Sequence, residues 1–468
     1  MVVYLGATTA WGAWLGKGSR SGDEYFLGGR DLPWGAVLLS IVATETSTLT
    51  FLSIPGVAYS GSLGFLQIAL GYVVGRLLIA VWLLPVYRTG ELKTAYEFLE
   101  WRFGIKSRRL ASIVFMVTRL LADSVRLFAT AIPLTLVTGW SLVTSVIIIG
   151  AITLIYTYLG GIRAVVLVDA VQMVLYLFGG VVALFMLERI VPGGWIEILS
   201  RASEAGKLQL VDTSFDFGRP YTLWAGLIGG AFLSMGSHGT DQLIVQRLLA
   251  CRDLSSSRRA LVGSGFVILG QFGLFLIVGI GLWAYYDASV FPRSDEIFAT
   301  FIVEALPVGI RGLLIAGVFA AAMSTLSSSI NSLASTTIYD FWVVRRPEAD
   351  EHAILRAGRI GTVIWSLLLT GVAIGFIPLS RESTAVEVSL GVASLVYGGL
   401  LGAFGLARFA RWRVDGFAVR TGLITGIGAM VVIWVTARTV IAWPWFALLG
   451  TGITIGVGLL VGWFRKIK

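Results

Sequence analysis

The chain has 468 residues, of which 56% are hydrophobic and only 13% charged, with a mean hydropathy of +0.84. Soluble domains run at about 45–50% apolar and about 25% charged, so this composition excludes an ordinary soluble protein and indicates a polytopic membrane protein. One cysteine, Cys251, excludes a disulfide framework within a single chain, and two histidines argue against a histidine-ligated metal site.

Thirteen apolar segments follow one another, at about 2–16, 34–60, 63–88, 109–138, 141–160, 164–189, 221–249, 257–286, 309–341, 353–377, 386–409, 416–437 and 445–463. Runs of about 20 apolar residues match a hydrocarbon core about 30 Å thick. The first segment lacks the basic lead of a signal peptide, and a surface helix is expected over about 294–306. Basic residues gather in alternate loops, as in Arg88–Arg109, Arg247–Arg259, Arg345–Arg359 and the Arg465–Lys468 tail. Cytoplasmic loops carry such an excess, which predicts an outside N-terminus and a cytoplasmic C-terminus in the plasma (inner) membrane. The net charge of +9 is therefore topology, not a nucleic-acid patch. The hydrophilic stretch 191–220, with Pro192-Gly193-Gly194, reads as an outside loop with a short helix.

Segment two carries Ala43-Thr44-Glu45-Thr46-Ser47-Thr48-Leu49-Thr50 at its middle and Pro55 beyond. Threonines are poor helix formers and proline cannot join the helix ladder, so a broken helix is predicted. Non-helical backbone at that depth is tolerated where it lines a cavity, and its carbonyls can coordinate a cation. Segment seven repeats the theme with Ser234-Met235-Gly236-Ser237-His238-Gly239-Thr240-Asp241. Interrupted helices at corresponding places in two halves point to inverted repeats around a midplane site.

Ionisable residues inside apolar segments are costly unless paired. Asp169 lies in segment six, and Arg119, Asp123 and Arg126 share segment four. That trio is either a structural ion-pair network or part of a site, and spacing leaves Asp123 within reach of Arg119 one turn away. His238 is equally a core hydrogen-bonding residue or a ligand contact. Segment nine holds Ser324, Thr325, Ser327, Ser328, Ser329, Asn331, Ser332 and Ser335. At about 3.6 residues per turn, Ala321, Ser324, Thr325, Ser328, Ser332 and Ser335 share a face. Such a stripe is either helix-packing glue or a row of oxygen ligands for a hard cation such as sodium. No phosphate loop, metalloprotease motif or nucleophile elbow stands in a suitable context, so an enzyme is not expected.

Four motifs together carry a family likeness over about residues 20–345: Tyr25-Phe26-Leu27-Gly28-Gly29-Arg30; Gly160-Gly161-Ile162-Arg163-Ala164-Val165-Val166 leading to Asp169 and Gln172; Thr240-Asp241-Gln242-Leu243-Ile244-Val245-Gln246-Arg247; and Ala321–Ser332. In these the chain resembles the sodium:solute symporter family, which includes sodium–glucose, sodium–proline and sodium–sialic acid symporters. The resemblance implies an all-α polytopic membrane protein of about thirteen transmembrane helices, with a five-plus-five inverted-repeat (LeuT-like) core whose first and sixth helices are broken. The expected division is 1–33 as a peripheral helix and cytoplasmic loop, 34–190 and 221–410 as the two repeats, 191–220 as an extracellular loop, and 411–468 as two peripheral helices.

Sodium is the implied coupling ion. Its common site carries over to Ala43 and Thr46 with Ala321, Ser324 and Thr325, and a second sodium site to Asp169, Ser324, Ser327 and Ser328. The solute cavity is expected to involve Glu45, Thr48, Thr50, Phe51, Gln67, Arg126, Ser234, Ser237 and His238. Glu45 stands where sugar-transporting members carry asparagine, and Ser237 where they carry a bulky aromatic gate. The Thr46–Phe51 run and Arg126 look more like members that carry sialic acid or other carboxylates. The implied function is sodium-driven import of a small organic solute by a monomer, with a carboxylate such as sialic acid favoured. A sugar or polyol symporter, or a solute sensor that no longer transports, are the alternatives.

Overall fold

The computed structural model describes residues 2–15, 21–46, 48–291, 293–294, 296–377, 385–410 and 414–466. Among them the secondary structure is helical, apart from one isolated bridge between Leu32 and Cys251. Helix α1 (Val2–Leu15) and the short α2 (Gly22–Leu27) precede a broken pair, α3 (Trp34–Glu45) and α4 (Thr48–Ser60). Then come α5 (Leu66–Trp82), α6 (Leu84–Thr89), α7 (Glu97–Phe103), α8 (Ile105–Thr138) and α9 (Leu142–Ile190). The next stretch has α10 (Gly194–Glu204), a second broken pair α11 (Gly230–Gly239) and α12 (Gln242–Leu249), and α13 (Leu254–Tyr285). After α14 (Glu296–Glu304), α15 (Val308–Thr337) runs through a π-helical turn at Ile338–Trp342 into α16 (Val343–Arg345). Helices α17 (Glu351–Gly375), α18 (Ala385–Phe409), α19 (Gly416–Ala437) and α20 (Trp445–Lys466) complete the chain.

By length and hydropathy, seven of the described helices can cross a membrane, or eight with the bent first pair counted as one span. The thirteen-segment reading counts further the two halves of α9, together with α1, α8, α11–α12 and α18. Of these, α1, α8 and α11–α12 fall short of a plain hydropathy test for visible reasons. Helix α1 has 14 residues and α11 has 10, while α8 carries Arg119, Asp123 and Arg126 in its interior.

Local chemistry explains the breaks. Between α3 and the rest of the second segment the chain bends by 62°, at Thr46 with φ −84° and ψ 88°. Helix α11 ends at Gly239, and Asp241 caps α12 by accepting from Leu243 N at 2.9 Å, the ordinary N-cap bond of an aspartate. At about 1.5 Å per residue the 49 residues of α9 would extend about 70 Å, more than twice a hydrocarbon core. The helix is kinked at Gly161, φ 54° and ψ −156°, a backbone region that essentially only glycine occupies. Tyr25 of α2 packs directly on that glycine.

Helix α15 is the axis of the molecule. Of its apolar window 94% is buried, against 33% for α17 and α19, and it packs on α9, α17, α8 and α3. A helix buried all round need not be apolar all round: its hydroxyls face neighbouring helices instead of lipid.

Candidate ion and solute site

The last four carbonyls of a helix lack partners inside it, so the end of α3 offers acceptors next to the break. Thr46 N takes Val42 O at 2.9 Å, and Thr46 Oγ1 is held by the Gln271 side chain of α13 at 2.7 and 3.1 Å. Gln271 is steadied in turn by the Tyr176 hydroxyl at 3.0 Å. Facing this end, Thr44 Oγ1 of α3 meets Ser328 Oγ of α15 at 3.1 Å, so the break and the serine-rich helix are in contact. Thr325 Oγ1 donates to Ala321 O at 3.2 Å. Ser327 and Ser328 donate to Ser324 O at 3.1 and 2.6 Å, the back-bonding that hydroxyls in helices favour. Ser324 Oγ is buried and lies within reach of the Asp169 carboxylate. Ala43 and Thr46 thus lie at the end of one helix, and Ala321, Ser324 and Thr325 on another, and the two helices touch.

Asp169 is fully buried. Its Oδ2 accepts from Ser40 Oγ at 2.7 Å, Thr44 Oγ1 at 3.5 Å and Arg247 Nη2 at 3.2 Å. The same Nη2 contacts Ser328 Oγ. Of the expected second-site residues, Asp169 and Ser328 are therefore joined by an arginine, and the Ser327 hydroxyl is bonded to its own helix.

On the solute side, Glu45 is the last residue of α3 and His238 lies in the last turn of α11, so the two breaks bring them together. Glu45 Oε2 bonds Arg76 Nη2 and lies 3.5 Å from His238 Nε2, while Ser237 Oγ sits 2.8 Å from His238 Nδ1. Arg76, fully buried in α5, also donates to Ser264 Oγ of α13 at 2.6 Å. Ser234 Oγ donates to Tyr72 O at 3.1 Å. Phe51 belongs to a ring cluster with Tyr176, Phe275 and Phe298, centroids 5.0–5.1 Å apart. Thr50 is half-buried, and the side chain of Thr48 lies outside the described residues.

Two side chains are tied to particular partners. The Gln67 amide donates to Gly64 O and Tyr221 O at 3.2 and 3.1 Å and accepts from Asp212 N at 3.1 Å. Asp123 does not belong chiefly to Arg119. Arg126 Nη1 is closer, at 3.1 Å against 3.6 Å, because Arg119 turns to Asp241 through Nε at 3.1 Å and to the Tyr397 hydroxyl at 2.6 Å. Asp123 accepts from Ser329 Oγ as well, which ties α8 to α15.

Arg76 was missed as a site residue, although a lone arginine inside Gly71-Tyr72-Val73-Val74-Gly75-Arg76-Leu77-Leu78 is the costly intramembrane charge that asks for a partner. Ser40 and Gln271 give no such signal in sequence. Both are ordinary polar residues whose role comes from what packs opposite them.

A sodium:solute symporter family model matches residues 25–396. The sodium/sialic acid symporter NanT of Aliivibrio fischeri is 30% identical, over 98% of this chain and 91% of its own length. The human sodium/iodide cotransporter is 31% identical, over 91% of this chain and 67% of its own. A solved substrate-bound, outward-open sodium-coupled sialic acid symporter superposes with a TM-score of 0.88 at 27% identity, covering 98% of this chain and 96% of that one. A nucleobase-cation-symport-1 transporter shares the fold alone, with a TM-score of 0.58 at 14% identity. With broken helices facing a hydroxyl-lined axis and a match over most of its length, this chain belongs to the sodium:solute symporter family and is a membrane transporter, not an enzyme.

Proposed function

We propose that this sodium-coupled symporter imports a small organic carboxylate that also carries a hydroxyl or ammonium group, sialic acid being one such solute. Four arginine–carboxylate pairs surround the two breaks and α15: Arg76–Glu45, Arg119–Asp241, Arg126–Asp123 and Arg247–Asp169. One observation carries the reading. Among the four arginines Arg126 keeps the largest side-chain exposure, 15%, and among the four carboxylates Glu45 does, 17%. A guanidinium offers a carboxylate paired donors. Glu45, its charge already met by Arg76, offers an acceptor to a solute hydroxyl or amine.

Sodium is ligated by carbonyls of Ala43 and Ala321, with Thr46, Ser324 and Thr325 supplying further oxygens. Thirteen spans support alternating access, with repeats over 34–190 and 221–410, the N-terminus outside and the C-terminus cytoplasmic. Proteoliposome uptake is the test: sialic acid, lactate, an amino acid and glucose, each with sodium and with choline instead. The expected result is sodium-dependent accumulation of an acid. Uptake of glucose alone would replace the reading with sugar symport, and sodium-dependent binding without flux would replace it with a sensor.

A further inference from the structure

We propose that the cleft where the first turn of α8 meets the start of α19 and the end of α20 binds the phosphodiester headgroup of an anionic phospholipid. The proposal depends neither on the solute nor on the coupling ion.

By length and hydropathy one span runs from Gly416 to Ala437 and the next from Trp445 to Arg465, so the start of α19 and the end of α20 lie at one membrane surface. Arg420 stands one turn inside α19 and is half-buried. Its guanidinium donates to Ser107 Oγ of α8 at 3.4 Å, and among the described residues no carboxylate pairs with it. The nearest acid in sequence is Asp415, and beyond it the chain has none. Asp415 is already engaged: Oδ1 caps α19 by accepting from Ala418 N at 2.9 Å, and Oδ2 pairs with Arg465 Nε at 3.0 Å. A cation inside a span is costly unless an opposite charge meets it. The Ser107 hydroxyl supplies a dipole only, so the countercharge of Arg420 comes from outside the chain.

The packing gathers further cations at the same edge. A Cβ on Gly416 would collide with Phe103 O, so the start of α19 lies against the end of α7. Arg102 of α7 donates to Ala407 O of α18 at 3.1 Å, and Lys106 beside Ser107 is exposed. The acid of that turn, Glu100, is taken by Arg108 at 2.6 Å. Arg102, Lys106, Arg420 and Arg465 therefore outnumber the one carboxylate, Asp415. Basic pockets between membrane helices hold anionic headgroups. Aromatic side chains favour a lipid over a free phosphate. The Arg465 guanidinium lies 4.8 Å over the Phe417 ring, and Phe417, Trp463 and Trp101 are exposed. Such rings sit at headgroup depth, where they meet the glycerol and upper acyl chain that inorganic phosphate lacks.

Thermal unfolding of the purified full chain in neutral detergent, titrated with phosphatidylglycerol, phosphatidylcholine or inorganic phosphate, tests this. Phosphatidylglycerol should raise Tm to a plateau, and the other two should not. Lys106→Gln with Arg420→Gln removes two cations and should shift the phosphatidylglycerol midpoint about thirtyfold. Arg189→Gln, at the end of α9, should leave it unaltered. Equal stabilisation by phosphatidylcholine or by inorganic phosphate would overturn the proposal. So would a folded double variant with an unchanged midpoint, or an Arg189→Gln shift as large as that of the double variant, which would mean diffuse attraction. Should the double variant fail to fold, photoreactive phosphatidylglycerol on the unmodified chain decides. Crosslinks on residues 101–109 and 416–420 are expected, and crosslinks elsewhere alone would overturn the assignment.

Discussion

At the residue scale, single oxygens and single guanidinium groups separate binding from packing. Ser324 Oγ is a buried hydroxyl of the proposed first sodium site, and Thr325 Oγ1 donates to Ala321 O. Each lost ligand of this kind is worth about 1–1.5 kcal/mol. Ser324→Ala with Thr325→Ala should therefore raise half-saturating sodium in uptake about ten- to a hundredfold, with little change in thermal stability without sodium. A collapse of stability with unaltered sodium dependence would return both hydroxyls to the role of helix glue. Arg126→Lys keeps the charge and removes the fork, so solute affinity should fall about ten- to a hundredfold while sodium binding is spared. Unchanged solute affinity would reassign Arg126 to the network it forms with Asp123 and reopen the sugar reading. The sequence made Ser324, Asp169, Glu45 and Arg126 legible because hydroxyls and charges in apolar segments are conspicuous. It did not reveal which charge meets which. Four arginines and four carboxylates allow many pairings, and only the folded packing selects Arg76 for Glu45 and Arg247 for Asp169.

At the element scale, the breaks and the glycine kink at Gly161 shape the site. The threonine-rich run and the Gly236–Asp241 cluster signalled both broken helices, because each weakens the helix ladder locally. The contact between the breaks could not be read, since it depends on how closely α5 approaches α11. Gly75 makes that approach: a Cβ there would collide with Ala231 O and Ser234 Cβ, and small residues are what let helices close to this distance. Gly75→Leu should push α5 outward and pull Arg76 from Glu45. Solute and sodium binding should both weaken, with a marked fall in melting temperature. At Gly161, whose φ of 54° is paired with ψ −156°, alanine meets both backbone strain of about 1–3 kcal/mol and the Tyr25 backbone. Gly161→Ala should lower the melting temperature by several degrees while leaving sodium affinity in the surviving protein unaltered. A Gly161→Ala protein as stable as the parent would mean that the kink tolerates a side chain.

At the scale of the whole molecule, the arginine–carboxylate pairs described around the breaks balance: four positive and four negative groups stand there. Sodium entering alone would leave this low-dielectric centre with one uncompensated positive charge, and a carboxylate solute removes it. Each ligand should then raise the affinity for the other by the same factor, since coupling between bound states is reciprocal. If one sodium accompanies one monoanion, no net charge crosses the membrane in a cycle. A potential of about 100 mV supplies roughly 2.3 kcal/mol per charge moved, equal to about a fiftyfold change in accumulation ratio. Proteoliposomes loaded with potassium and treated with valinomycin should therefore accumulate the acid found in the uptake screen to the same ratio with or without an inside-negative potential. The sodium gradient should still drive that accumulation. A rise of about fiftyfold at 100 mV would show one net positive charge entering per cycle, which requires a second sodium.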